Sequence, residues 1–233
     1  FKSQQHRWAK GSIQTARKLL PRIFKSDLPF AVKREAFFHL TSNLAYPLMV
    51  LLSLLMPLSM LVRFQHDLYA TLFLDLPFCV SATISVCFFY VATQRELGQG
   101  WWGRVKYLPF LMSLGIGMAI NNAKAVIEAL FQVESGFTRT PKTGAEGTRA
   151  RVVKKAYRGK AQWMPYVELA FGAYFTWAVW IAWDKGVFTS MPFLVLFQLG
   201  FLYVGVASLM QAWGWSGRGG PSVVAPEAAA PTA

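Results

Sequence analysis

The sequence predicts an all-α membrane protein, with about four transmembrane helices and further amphipathic helices that lie in the membrane interface. Its composition is the first observation: 54% of the 233 residues are hydrophobic and 15% are charged, whereas about 25% of a soluble domain is charged. The second observation is a series of apolar runs, each long enough to cross about 30 Å of hydrocarbon. The third is a net charge of +13, whose basic residues cluster between those runs, as the positive-inside rule expects. No nucleic-acid partner is therefore predicted.

The N-terminal part is predicted to lie along the membrane surface. Between residues 12 and 25, apolar side chains recur at helical spacing, and most of the lysines and arginines fall on the other side. A basic amphipathic helix of this kind is typical of the membrane interface. Pro21 is expected to kink it, and Pro29 separates it from a second helical segment, 30–41. Residues 12–41 are thus predicted as amphipathic interfacial helices.

Four apolar runs are predicted to cross the membrane. Residues 43–93 hold the first two, at 43–62 and 70–92, and residues 166–210 hold the last two, at 166–183 and 190–210. Asp75 lies near the start of the second run and is assigned to the interface. Cys79 and Cys87 lie inside the same run and are predicted to be small buried hydrophobic residues rather than metal ligands.

The stretch 108–131 is predicted to be interfacial or re-entrant rather than a fifth span. Only residues 108–120 are free of strongly polar side chains, and about 10–14 apolar residues are too few to cross. A surface position also keeps the basic residues of 94–107 on the same side as those of the loop that follows. The resulting assignments are an interfacial or re-entrant region at 94–131, a cytoplasmic loop at 132–165 and a disordered tail at 211–233.

The most informative motif is Gln-Gln-His-Arg-Trp at residues 4–8. Arg7 carries a planar, always-charged fork that suits diphosphate oxygens. Trp8 offers a large flat face on which a sugar ring can lie. An Arg–Trp pair at an interface can equally anchor a helix, so these residue types alone leave both roles open.

The spacing Gln-x-x-Arg-Trp, placed directly before a basic amphipathic helix and apolar runs, resembles the C-terminal half of processive family-2 glycosyltransferases. These are the cellulose-synthase-like enzymes, and the motif looks most like the branch that makes mannan, glucomannan or β-glucan. The resemblance implies that residues 1–11 end the catalytic domain. It further implies that Trp8 lines the acceptor site at the channel entrance, that Arg7 faces the donor diphosphate and that Gln4 supports the end of the glycan.

A second motif carries the same resemblance. Residues 137–142 read Phe-Thr-Arg-Thr-Pro-Lys and are similar to the family's gating loop, Phe-x-Val-Thr-x-Lys. The resemblance implies that Phe137, Thr140 and Lys142 cover the catalytic pocket and contact the nucleotide. Arg139 stands where the family has valine, which is a departure from the pattern. A plain basic cytoplasmic loop is the alternative interpretation.

The sequence holds neither Asp-x-Asp nor an acidic pair, so no catalytic residue and no metal site is predicted in it. We therefore expect a C-terminal fragment, inactive alone, whose catalytic domain lies upstream and binds Mg²⁺ or Mn²⁺. The activity implied for the parent enzyme is transfer of hexose from UDP-glucose or GDP-mannose to a growing β-linked polysaccharide, which it translocates across the membrane. The implied location is the bacterial cytoplasmic membrane, as a multi-pass protein.

Two other classes of protein stay open. A small non-enzymatic membrane transporter or channel subunit would account for polar residues near the spans, such as Asp75, Asn121 and Glu168. Transporters commonly contain inverted repeats, and no repeat is apparent here. A lipid-linked, non-processive sugar transferase would share the catalytic domain but would need neither motif.

Overall fold

The computed structural model describes residues 1–66, 69–98, 100–134 and 163–212. Every regular element within these residues is helical, which confirms the predicted all-α class. Single 3-10 turns at Ser42–Leu44 and Phe188–Ser190 lead into the helices that follow them. The α-helices of the described residues are α1 (Lys2–Lys25), α2 (Phe30–Thr41), α3 (Ala45–Gln65), α4 (Tyr69–Glu96), α5 (Trp101–Val105), α6 (Leu108–Gly117), α7 (Ala119–Leu130), α8 (Met164–Asp184) and α9 (Met191–Ala212).

Helix α1 begins well before the amphipathic segment predicted from residue 12, so the motif at residues 4–8 lies inside the helix. Its apolar stripe starts at Ala9 and continues through Ile13 and Ala16, all of them buried. The helix runs through Pro21 and ends at Lys25; the hydroxyl of the next residue, Ser26, donates to the carbonyl of Ile23 at 2.6 Å. Helix α2 then occupies the predicted segment, 30–41.

Two helical stretches of the described chain, Phe30–Gln65 and Phe188–Gln211, are long and apolar enough to cross a membrane. A third candidate is the pair Trp101–Gly117 and Ala119–Leu130, which is bent by 42° and can be a broken span or a re-entrant segment. These helices support membrane association. Helices α4 and α8 form where two further spans are predicted, but they are not among the candidates in the described residues. The four-span arrangement therefore stays a prediction.

The main core forms where α8 and α9, joined by a short turn, pack against α3 and α6. Phe175 stacks against both Phe197 and Phe201, with its ring centroid 5.0 and 5.9 Å from theirs. Burial of such aromatic side chains dominates the energetics of a helical core. The buried members of this cluster are Met60, Ile116, Ile120, Phe175, Ala178, Ala182, Leu194, Phe197 and Phe201.

Helix α6 crosses α9 at backbone contact distance. A Cβ atom added at Gly117 would lie 2.2 Å from the carbonyl oxygen of Gly200, and one added at Gly200 would lie 2.2 Å from that of Ser113. The Ser113 hydroxyl also donates to the Leu196 carbonyl at 3.0 Å. Small residues permit this close approach, as is common between membrane helices. Because Ser113 meets Leu196 and Gly117 meets Val204, the two helices run in the same direction.

Helix α7 turns away from α6 after Met118 and packs on α1. Ile13 of α1 forms a small buried cluster with Val126 and Ala129 of α7. The bend lets α6 follow α9 while α7 follows the helix that carries the motif. Both a broken span and a re-entrant segment fit this geometry, so the interfacial or re-entrant assignment of 94–131 stays a prediction.

Candidate functional site

The predicted site residues of the first motif share one face of α1. Gln4, Arg7 and Trp8 are three and four positions apart, and that spacing places side chains on the same side of a helix. Gln4 is exposed, Arg7 is half-buried, and Trp8 is 62% exposed. The buried stripe from Ala9 to Ala16 lies on the other side of the helix. We call the side formed by Gln4, Arg7 and Trp8 the motif face.

The opposite side of α1 is fixed to α7 by charged groups. Lys10 is buried, and its Nζ lies 3.1 Å from Glu128 Oε2 and donates to the Val133 carbonyl at 2.7 Å. Further along α1, Arg17 Nη1 donates to the Ala129 carbonyl at 2.9 Å. That carbonyl belongs to the last turn of α7, where a cation also interacts favourably with the helix dipole. These contacts hold α1 in a defined rotation, with the motif face turned away from α7.

His6 belongs to the same interface. Its Nε2 lies 3.4 Å from Glu128 Oε2. Burial lowers the pKa of His6 from its usual 6.5; the nearby Glu128 carboxylate opposes this shift, and the charges of Lys10 and Lys124 add to it. A lowered pKa keeps the imidazole neutral near pH 7.

The N-terminal end of α1 meets three other helices in a polar cluster. Lys2 Nζ lies 2.5 Å from Glu168 Oε1 in α8 and 3.0 Å from Ser208 Oγ in α9. The Lys2 carbonyl accepts a hydrogen bond from Asn121 Nδ2 in α7 at 3.1 Å, and the same amide nitrogen is 2.9 Å from Asn122 Oδ1. Glu168, Asn121 and Asn122 are buried. We call these five residues the Lys2 cluster.

Sequence reasoning does not identify the Lys2 cluster as a site. Asn121 and Glu168 are polar residues in or beside apolar segments, and this pattern alone indicates that they are candidate functional residues. Their partner Lys2 is 166 positions from Glu168, and nothing in the local pattern pairs the two. Only the packing of α1 against the ends of α8 and α9 brings them together.

Exposed aromatic side chains follow one side of α8. Tyr166, Trp177 and Trp180 are 62%, 40% and 64% exposed, while Phe175 and Ala178 point into the core. We call Tyr166, Trp177 and Trp180 the aromatic column. At 1.5 Å rise per residue it extends over about 21 Å of the helix axis. Broad aromatic faces at such spacing can contact either lipid or the rings of a sugar chain.

The remaining predicted positions are not placed. Phe137, Thr140 and Lys142 lie outside the described residues, as does the side chain of Asp75. In the described part of the chain, no group of three or more His, Cys, Asp or Glu side chains could hold a metal ion. The divalent cation expected for the parent enzyme therefore stays a prediction.

Comparison with known proteins gives no relative: no family model, no curated protein and no solved structure matches this chain. The features that bear on function are therefore the two motifs and the side chains that α1 and α8 expose.

Proposed function

We propose that this chain forms the acceptor site and the translocation channel of a membrane-embedded polysaccharide synthase. The enzyme transfers hexose from UDP-glucose or GDP-mannose to a growing β-linked glycan. It moves the product across the bacterial cytoplasmic membrane, in which it is a multi-pass protein with four spans. The nucleotide-sugar domain that this reaction requires supplies the base and holds Mg²⁺ or Mn²⁺, which offsets the charge of the departing diphosphate.

The observation that carries the proposal is the orientation of α1. The ion pair of Lys10 with Glu128 and the apolar contacts of Ile13 lie on the side of α1 that faces α7, whereas Trp8 on the motif face is largely exposed. A tryptophan exposed on a firmly held helix is poorly explained by core packing and suits a preorganised platform. In this proposal Trp8 supports the acceptor sugar, Arg7 interacts with diphosphate oxygens and Gln4 hydrogen-bonds the glycan end.

The aromatic column supports the channel part of the proposal. A sugar ring presents C–H groups on its faces, and flat apolar surfaces are offered by Tyr166 near the start of α8 and by Trp177 and Trp180 in its second half. Interfacial anchoring remains the other role for Trp180, since it is near the end of the helix. Phe137, Thr140 and Lys142 enter the proposal through the resemblance of their sequence alone, as residues that cover the nucleotide.

The Lys2 cluster favours a second candidate function, a non-enzymatic transporter or channel subunit. A fully buried carboxylate such as Glu168, lying in a predicted span, is often part of an ion or proton pathway. The two functions differ in what the motif face does, because a transporter has no use for Gln4, Arg7 and Trp8.

Substitution of Trp8 in the complete enzyme tests the proposal. Membranes are supplied with radiolabelled UDP-glucose or GDP-mannose, and polymer is quantified for Trp8→Ala, Trp8→Phe and Trp102→Ala. Trp102 is 72% exposed and lies outside the motif, so it is the matched control. We expect Trp8→Ala to lower polymer yield by about a hundredfold or more, because a lost platform misplaces the acceptor. Trp8→Phe should retain part of the activity, and Trp102→Ala should be near normal. Equal yields from Trp8→Ala and Trp102→Ala would remove the acceptor role.

A further inference from the structure

The Lys2 cluster lies on the side of α1 away from the motif face. Through it one side chain, Lys2, contacts both helices of the α8–α9 pair: Glu168 at 2.5 Å and Ser208 at 3.0 Å. Ser208 Oγ itself donates to the Val204 carbonyl at 2.6 Å, so its lone pair is oriented by α9. The first turn of the motif helix is thereby joined to the pair of helices that carries the aromatic column.

The buried carboxylate of Glu168 requires the Lys2 ammonium beside it. Its side chain is 0% exposed, and its Oε2 has no hydrogen-bond partner within the described residues. A buried carboxylate is strongly unfavourable unless a counter-charge is held against it. Positions of α1 that keep the Lys2 ammonium at Glu168 Oε1 are therefore favoured over positions that withdraw it. The ion pair restrains α1 along α8 and α9, while Lys10 and Glu128 restrain the same helix on α7.

The restraint is transmitted to the motif because α1 is one continuous helix. Gln4 follows Lys2 after two residues, and Trp8 follows after six, without a break in the helix. A displacement of the Lys2 end therefore moves the motif face as well. Misplacement of a reacting group by about 1 Å can cost on the order of a hundredfold in rate.

We infer that Lys2 and Glu168 are positioning residues, whose ion pair fixes the motif helix on the α8–α9 pair and so sets where Trp8 stands relative to the channel. The effect on activity rests on the proposed function. The effect on helix position does not, so the two can be measured separately.

The informative variant is Lys2→Met/Glu168→Gln. Either single substitution leaves one charge without its counter-charge and can impair folding, but the double variant removes both together and should insert and fold like the native protein. Lys2→Arg keeps the charge and is the rescue variant. Lys18→Met removes the same charge from an exposed position of α1 and is the matched control.

Helix position is read by electron-spin distance measurement in the complete enzyme, in a background where Cys79 and Cys87 are alanine. Spin labels occupy two exposed positions, Gln14 of α1 and Ala170 of α8. We expect a narrow distance distribution for the native pair, for Lys2→Arg and for Lys18→Met. The double variant should give a broadened or displaced distribution at a normal yield of folded protein.

Activity is read on the same membranes as the rate of polymer extension. The double variant should extend polymer at least about tenfold more slowly, and Lys2→Arg should restore most of the rate. The inference is overturned if the double variant keeps the native distance distribution, or if the distribution changes while extension does not. If the native enzyme makes no polymer from either donor, the proposed function fails, and the distance distributions alone decide whether the ion pair positions α1.

Discussion

Replacement of Gly117 by alanine tests the packing of α6 on α9. The added Cβ would lie 2.2 Å from the Gly200 carbonyl oxygen and 2.6 Å from Val204 Cγ2, whereas a carbon and a carbonyl oxygen normally approach to about 3.3 Å. The oxygen belongs to a helix backbone, which cannot rotate away as a side chain does, so the helices must separate. Overpacking of this kind costs about 1–3 kcal/mol.

Gly115 provides the matched control, because it lies in the same helix and a Cβ there meets nothing within 4 Å. Both substitutions gain about 0.5–1 kcal/mol from the better helix propensity of alanine. That gain cancels in the comparison, and the overpacking cost of about 1–3 kcal/mol remains. For a chain of this size, 1 kcal/mol corresponds to about 2–4 °C in Tm, so Gly117→Ala should melt roughly 2–12 °C below Gly115→Ala.

The assay is thermal unfolding of the purified protein in detergent, followed by the fraction that remains monodisperse after heating. The comparison bears on topology as well as on packing. If 108–131 lay on the membrane surface away from α9, Gly117 would be as open as Gly115. Equal melting temperatures for the two variants would refute the crossing of α6 and α9 at Gly117.

Two further predictions concern charge. Acidification should destabilise the protein through His6: its pKa in the folded state lies below 6.5, so the unfolded chain takes up the proton first. The contribution of neutral His6 to the free energy of unfolding is therefore complete above about pH 6.5 and is lost as the pH falls toward the folded-state pKa. Denaturation of the native protein and of His6→Gln between pH 7.5 and 5 checks this. An equal loss of stability in both proteins would contradict it. On the topology predicted from sequence, an impermeant amine reagent added outside sealed cells should label Lys185, which is exposed in the turn after α8, and should spare Lys142. Labelling of Lys142 would mean that 108–131 crosses the membrane.

Local sequence patterns predict where most of the helices form, but they do not predict which helices pack against each other. Pro29 and the apolar spacing after it placed α2 at its observed bounds, 30–41, because helix ends depend on nearby residues. The start of α1 at Lys2 was missed, since Lys2, His6 and Lys10 are polar and gave no apolar stripe. Their positions depend on ion pairs with Glu168 and Glu128, which come from distant parts of the chain.

The break at Met118 shows the same limit. Hydropathy describes 108–131 as an apolar stretch followed by polar residues, and its length and the placement of the basic residues predict an interfacial or re-entrant segment. The direction of α6 depends on its contact with Gly200, and that of α7 on its contact with Ile13. Both are contacts between distant parts of the chain, and a local sequence pattern cannot predict them. The spacing of Gln4, Arg7 and Trp8 places all three on one side of a helix only once α1 is known to begin at Lys2.

The central claim is that Trp8 touches the growing sugar chain, and site-specific photocrosslinking tests it most directly. A photoreactive phenylalanine analogue replaces Trp8 or, as the control, Trp102 in the complete enzyme, which is then supplied with radiolabelled UDP-glucose or GDP-mannose and illuminated. The account predicts that radiolabelled glycan becomes attached to the protein from position 8 and not from position 102. Polymer synthesis without labelling from position 8 would contradict it.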